Sequence, residues 1–196
     1  MKELEAEDTL DLVDEKSEKI HEKIRNTKKA LAKSLIKLLQ EKPVTQIDVS
    51  ELCKNANLNR TTFYNHYNSI YALLDEMVSE FFKNVKKYLA DSIDEKSENT
   101  AAKIALMLKY LKQNRHFVRT IMNNNLYEEI GNKLISFDFV SNLLNTNIKY
   151  RQNIYINDAY YIGFIISGWY AVIKRWVNED CDLDENTLAR LLTSIY

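Results

Sequence analysis

Two helix starts set only eleven residues apart constrain this chain more than any other feature. Asp48-Val49-Ser50-Glu51 places an acid at a capping position and a glutamate three residues later, the reciprocal pattern that starts a helix. A short helix from about Val49 to Asn55 follows. Ala56-Asn57-Leu58 then makes a turn, because Asn57 tolerates a left-handed backbone and Leu58 can drop into the core between two helices. Asn59 starts the second helix, Arg60-Thr61-Thr62-Phe63-Tyr64-Asn65-His66-Tyr67. Short helix, tight turn and second helix form a helix-turn-helix.

The second helix has four ring side chains and no acid. Helical spacing puts Phe63 and Tyr67 on one face, as core anchors. Thr61, Tyr64, Asn65 and part of Arg60 lie on the other. That outer face has hydrogen-bonding groups and positive charge, a set suited to phosphate oxygens and base edges in a DNA major groove. Charge is distributed to match. Residues 1–20 hold three Lys and eight acids, whereas residues 21–88 hold twelve Lys or Arg and seven acids, so a net charge of -1 conceals a basic region around the motif.

The run from Ile47 to Tyr67, followed by Leu73-Leu74, resembles the DNA-binding domain of TetR-like transcriptional regulators. The Thr62-Phe63-Tyr64-x-His66-Tyr67 core is its specific part. The likeness extends by motif from about Ile24 to Val85 and beyond that only by helical pattern. Two positions depart from the family: Asn57 stands at the usual Gly of the turn, and Ile70 stands where a phosphate-touching Lys is common. The resemblance implies an all-α protein of about nine helices, with an N-terminal three-helix helix-turn-helix domain and a larger helical domain for ligand binding and dimerisation. It also implies that Tyr64 and His66 hydrogen-bond phosphates. Arg60, Thr61 and Asn65 are the expected base readers, Thr62 lies among them, and Thr45 and Ser50 adjoin the start of the preceding helix, whose N–H groups can meet a phosphate. Asp48 is expected to act as a cap only.

One Pro and three Gly in 196 residues leave little punctuation for sheets, and 45% apolar residues supply a sizeable core. Residues 1–20 read as an acidic leader, disordered or loosely helical, without the basic and apolar regions of a signal peptide. The helix-turn-helix domain is expected over residues 21–68. Its first helix runs from Ile24 to Glu41, with Ile24, Leu31, Leu35, Leu38 and Leu39 inward and its N-terminal end, at Arg25, Asn26 and Thr27, directed at the DNA backbone. Pro43 ends it. A long linking helix covers residues 69–90, capped by Ser69, and residues 91–196 form the regulatory and dimerisation domain, with helices near 101–113, 115–123, 126–150, 156–178 and 184–195. Cys53 and Cys181 read as reduced thiols in a cytoplasmic protein, Cys53 buried and inert.

From Ala159 to Ile173 there is no charge and apolar side chains fall on every side, so this helix is expected to be buried all round. At fifteen residues it is too short for a bilayer, which needs roughly 20. Gly163, Ser167 and Gly168 allow close approach of another helix. With Trp169, Trp176, Leu188 and Leu192 they form the expected homodimer interface, two hairpins from two chains making four helices, as in TetR-like regulators. The plausible lining of an effector pocket is Met107, Tyr110, Phe117, Met122, Tyr127, Phe137, Tyr160 and Phe164, which favours a small apolar or aromatic effector. No phosphate loop, metal-spaced His and Cys cluster or nucleophile elbow occurs, so no cofactor, metal or catalytic residue is expected. The resulting expectation is a dimeric, ligand-responsive repressor binding a near-palindromic double-stranded operator. The alternative is a TetR-like adaptor or co-activator acting through a protein partner.

Overall fold

The computed structural model describes residues 2–92, 99–124 and 158–194. All regular structure among them is helical, in two compact units, Met1–Leu74 and Asp75–Tyr196. The division falls inside one helix.

In the first unit, α1 is Lys2–Glu41, and a 3-10 turn at Val44–Gln46 leads to α2, Val49–Asn55, α3, Arg60–Tyr64, and the start of α4, Ile70–Ser92. Helix α1 stops where Pro43, with no N–H to donate, cannot continue the hydrogen-bond ladder. Its residues Leu31, Leu35 and Leu38 are buried with Leu52, Phe63, Tyr67, Ile70, Leu73 and Leu74, a small core drawn from all four helices. One polar strut crosses that core: the Ser34 hydroxyl donates to the Leu52 carbonyl at 2.9 Å, tying α1 to α2.

Residues 2–20 are the stretch expected as a disordered or loosely helical leader. They belong to α1, which is helical from Lys2. The stretch has no Gly or Pro and is made largely of Glu, Lys, Leu and Ala, all good helix formers, so an adjoining stable helix can propagate through it.

The second unit takes in the remainder of α4 and adds α5, Thr100–Gln113, α6, Arg115–Asn123, α7, Asp158–Asn178, and α8, Glu185–Thr193. Asn99 caps α5 by accepting from the Ala102 N–H at 3.0 Å, and Asp184 caps α8 by accepting from the N–H groups of Asn186 and Thr187. Val85, Ile104, Leu108, Val118, Trp169, Trp176, Leu188 and Leu192 share one core. Helix α8 lies along α5, and α6 lies along α7. The expected α7–α8 hairpin is therefore not the main pairing of α8. A polar clamp fixes the α6–α7 contact. The Arg119 guanidinium donates to the Val177 carbonyl and to Asp180, and Asn123 and Asn178 exchange hydrogen bonds at 2.9 and 3.1 Å.

The expected helix over 126–150 falls outside the described residues. Among the described residues, no helix is long and apolar enough to cross a membrane.

Candidate nucleic-acid interface

The reading helix is positioned by local chemistry on both sides of the turn. At the start of α2 the Asp48 carboxylate accepts from the Glu51 N–H at 2.9 Å, and that bond holds its pKa below the ordinary range. The reciprocal half of the expected capping box is replaced by an ion pair: Glu51 takes the Lys42 ammonium at 2.5 Å. At the end of α2, the Leu58 N–H reaches back to the Cys53 carbonyl at 2.9 Å and the Asn57 N–H to that of Lys54 at 3.3 Å. This is a Schellman ending, and Asn57 sits in its left-handed position with φ 54. Leu58 is half-buried.

Asn59 then caps α3. Its side-chain oxygen accepts from the Thr62 N–H at 2.6 Å and from the Thr62 hydroxyl at 2.8 Å. The α-helix proper ends at Tyr64, shorter than the expected span to Tyr67, although the Tyr67 N–H still reaches the Phe63 carbonyl at 2.9 Å. That last bond keeps the two rings on the inner face. Phe63 and Tyr67 are buried, with ring centroids 5.8 Å apart. Lys28 of α1 places its ammonium 5.4 Å from the Tyr67 ring centre, a contact with no sequence signal of its own.

Arg60, Thr61, Tyr64 and Asn65 are exposed together on the outer side of α3. The Arg60 guanidinium stacks 6.0 Å from the Tyr64 ring centre, and Tyr64 meets Phe63 edge-on at 5.4 Å. Two side chains that reach outward are thus steadied from beneath. Thr62 is half-buried, and its single hydroxyl proton is given to Asn59, which leaves it nothing to donate to a phosphate. His66 is half-buried beside Tyr67. Thr45 and Ser50 are exposed near the start of α2. Arg25 is exposed and Thr27 half-buried, but both lie within α1. Their N–H groups are inside a continuous helix, so only their side chains can address a phosphate, not a helix N-terminus as expected. Cys53 is a buried free thiol whose pKa burial pushes up, countered in part by Arg60, which makes it a poor nucleophile.

The remaining expected site residues divide differently from the sequence reading. Trp169, Trp176, Leu188 and Leu192 are buried in the core of the second unit and are not on its outside. Tyr160 and Phe164, expected in a pocket, are 78% and 66% exposed. Gly163, Ser167, Gly168 and Ala171 are also exposed, and a Cβ added at either glycine meets nothing within 4 Å. Among the described residues, helix α7 therefore buries one face and leaves an apolar, small-residue face exposed, where burial on all sides was expected. Met107 and Met122 are core residues, and Tyr110 and Phe117 are half-buried. Phe81 adjoins Phe117 at 4.9 Å and Tyr110 at 5.6 Å, and Tyr88 adjoins Tyr110 at 5.1 Å, so α4 adds rings to the expected set. Burial raises the Tyr110 pKa. Tyr127 and Phe137 lie outside the described residues.

Solved structures share this architecture. A TetR transcriptional regulator from Streptococcus agalactiae 2603V matches with a TM-score of 0.65 and 22% identity, over 91% of this chain and 98% of that one. The fatty acid degradation regulator FadR from Bacillus halodurans matches at 0.59 and 16%, over 86% and 93%. At these identities the likeness is one of fold alone. In sequence, the chain is 31% identical over 97 residues to the HTH-type dhaKLM operon transcriptional activator DhaS of Lactococcus lactis, a match spanning 48% of each protein. A family model of TetR regulators, described as a transcriptional regulator C-terminal region, matches residues 98–196. The chain belongs to the TetR family of transcriptional regulators.

Proposed function

We propose that this regulator binds double-stranded DNA in a sequence-specific way through α3, as a homodimer on a near-palindromic operator. The observation that carries the reading is the shared outward face of Arg60, Thr61, Tyr64 and Asn65, on a short helix fixed by the Asn59 cap and the Asn57 turn. Arg60 suits guanine, Asn65 adenine and Thr61 the thymine methyl, while Tyr64, His66, Arg25, Thr45 and Ser50 position the backbone. The exposed face of α7, from Tyr160 through Gly163, Phe164, Ser167 and Gly168 to Ala171, pairs with its copy. Half-site centres then lie roughly 34–36 Å apart. The effector is a flat aromatic or apolar molecule that enters among Phe81, Tyr110 and Phe117, and the protein acts in the cytoplasm.

On this reading the bound protein blocks transcription and acts as a repressor. A second reading, an activator or an adaptor acting through a protein partner, is favoured by one observation: the relative matched over about half its length is named an operon activator.

Selection from random-sequence duplexes, with the mass of the complex measured alongside, tests the proposal. A dimer that enriches one near-palindrome, with enrichment lost in Thr61→Ala, is the expected result. A folded protein that enriches no sequence refutes α3 as the reader and leaves the partner-protein reading.

A further inference from the structure

Helix α1 runs unbroken for 40 residues, about 60 Å at 1.5 Å per residue. Its charge is split in two. Residues 2–18 contain eight acids and two Lys, net -6; residues 19–37 contain seven Lys or Arg and one acid, net +6. The sequence of the same helix also repeats apolar or small side chains at alternating steps of three and four: Leu10, Val13, Ser17, Ile20, Ile24, Thr27. Where this stripe is described it is not fully covered by the chain. Ile20 is 58% and Ile24 37% exposed, Ser17 and Thr27 are half-buried, and among the described side chains of α1 full burial starts at Leu31. A groove of about 520 Å³ opens beside the stripe, with Lys19, Glu22, Lys23, Asn26, Ala30 and Leu58 among its lining.

We infer that residues 10–27 of α1 are a second self-association surface, which pairs antiparallel with the same segment of another copy. An unbroken helix cannot fold back, so the acidic half has no way to reach the basic half of its own α1. A second copy can supply it. The charge reverses between residues 18 and 19, and an antiparallel pair centred there sets residues 10–18 of each copy, net -3, against residues 19–27 of the other, net +2. The same centring sets the register: position 10 falls opposite 27, position 13 opposite 24, and position 17 opposite 20, each layer repeated by symmetry. A parallel pair would set like charges together along the whole length. The pairing also covers Lys19, Lys23 and Arg25, so it draws on the basic surface proposed to approach phosphate and competes with it. This surface is separate from α7, and either can fail without the other.

Bismaleimide cross-linking of the full chain reads the register directly. Cys53 and Cys181 are buried and do not compete. Positions 13 and 24 lie roughly 16 Å apart along one helix, too far for a short linker to bridge within a chain. The Val13→Cys/Ile24→Cys double variant is expected to form covalent dimers, less at high salt, while each single variant stays monomeric on a denaturing gel. Cross-linking in the single variants would mean parallel or unspecific contact and would overturn the inference. No cross-linking in the double variant would overturn it as well. Neither outcome depends on Phe164, whose replacement tests the α7 interface by sedimentation.

Discussion

The side-chain oxygen of Asn59 takes two hydrogen bonds from Thr62, one from its backbone N–H at 2.6 Å and one from its hydroxyl at 2.8 Å. A single residue outside α3 thus fixes where the helix begins and withdraws Thr62 from the outer face. Asn59→Ala is expected to lower stability by about 1 kcal/mol. Asn59→Asp keeps an acceptor in place, so urea denaturation should show a stability near that of the parent. It adds a negative charge beside Arg60 and should weaken DNA binding. Equal loss of affinity in both variants would show that the cap acts through folding alone.

Arg60, Thr61 and Asn65 on one side, and Arg25 on the other, should behave differently when removed. Thr61→Ala or Asn65→Ala is expected to cost roughly 1–3 kcal/mol against the preferred base pair and to relax the choice at that position only. Arg25→Ala should weaken all duplexes alike and lower the slope of log affinity against log salt by about 1. Titrations of matched and mismatched duplexes at several salt concentrations separate the two patterns.

Asn57 occupies the left-handed region with φ 54, and the hydrogen bonds of the Schellman ending hold it there. Asn57→Ala is expected to destabilise the protein by about 1–2 kcal/mol, because a Cβ without a polar side chain is strained in that conformation. Asn57→Gly should fold at least as well as Asn57→Ala, since glycine enters the region freely. Thermal unfolding of the two variants ranks them, and the reverse order would contradict the account of the turn.

What the sequence made legible follows from the range of the interactions involved. The Asp48 and Asn59 caps, the Asn57 turn and the inward Phe63 and Tyr67 depend on neighbours within a few residues. Helix α6 was expected at 115–123 and lies at Arg115–Asn123, with α5 and α7 offset by one or two residues at their starts. Faces of the uncharged stretch of α7, Ala159 to Ile173, were not legible. With apolar side chains all round, periodicity does not say that Trp169 and Ile165 turn inward while Phe164 turns out. That choice is made by α4, α5 and α6, far away in sequence, and so is the pairing of α8 with α5. Leu58 shows a milder case: its turn was readable, its half-burial was not.

Acid should loosen both units through carboxylates held at helix ends. Asp184 is depressed by its hydrogen bonds with Thr187, Asp48 by the Glu51 N–H, and Asp180 by its hydrogen bond with Arg119. Each folded-state pKa lies below the unfolded one, so the stabilisation is complete above the unfolded value and fades as pH falls through the folded value. The window therefore opens below about pH 4. Asp184→Asn keeps an acceptor at the cap but removes the titration. Its unfolding midpoint should fall less steeply between pH 4 and pH 2, taken as an approximate range for ordinary carboxyls, than that of the parent chain.

Trp169 and Phe164 stand five positions apart on α7 and should fail in opposite ways. The Trp169 side chain is 5% exposed and packs into the core that also holds Leu188 and Leu192, so Trp169→Ala opens a large cavity and is expected to cost about 3–5 kcal/mol. Loss on that scale is a large share of a domain's total stability, and it should appear as a lower melting temperature at any protein concentration. Phe164 is 66% exposed, beside a glycine where an added Cβ would meet nothing. Phe164→Glu removes an apolar contact only if another chain covers it, and it then buries an unpaired charge at the proposed interface. At high salt, where the charge-driven α1 pairing is screened, the expected result is a folded protein whose sedimentation shifts from dimer to monomer, with a melting temperature that no longer rises with concentration. A Phe164→Glu protein that remains fully dimeric under those conditions would move the C-terminal interface away from the exposed face of α7.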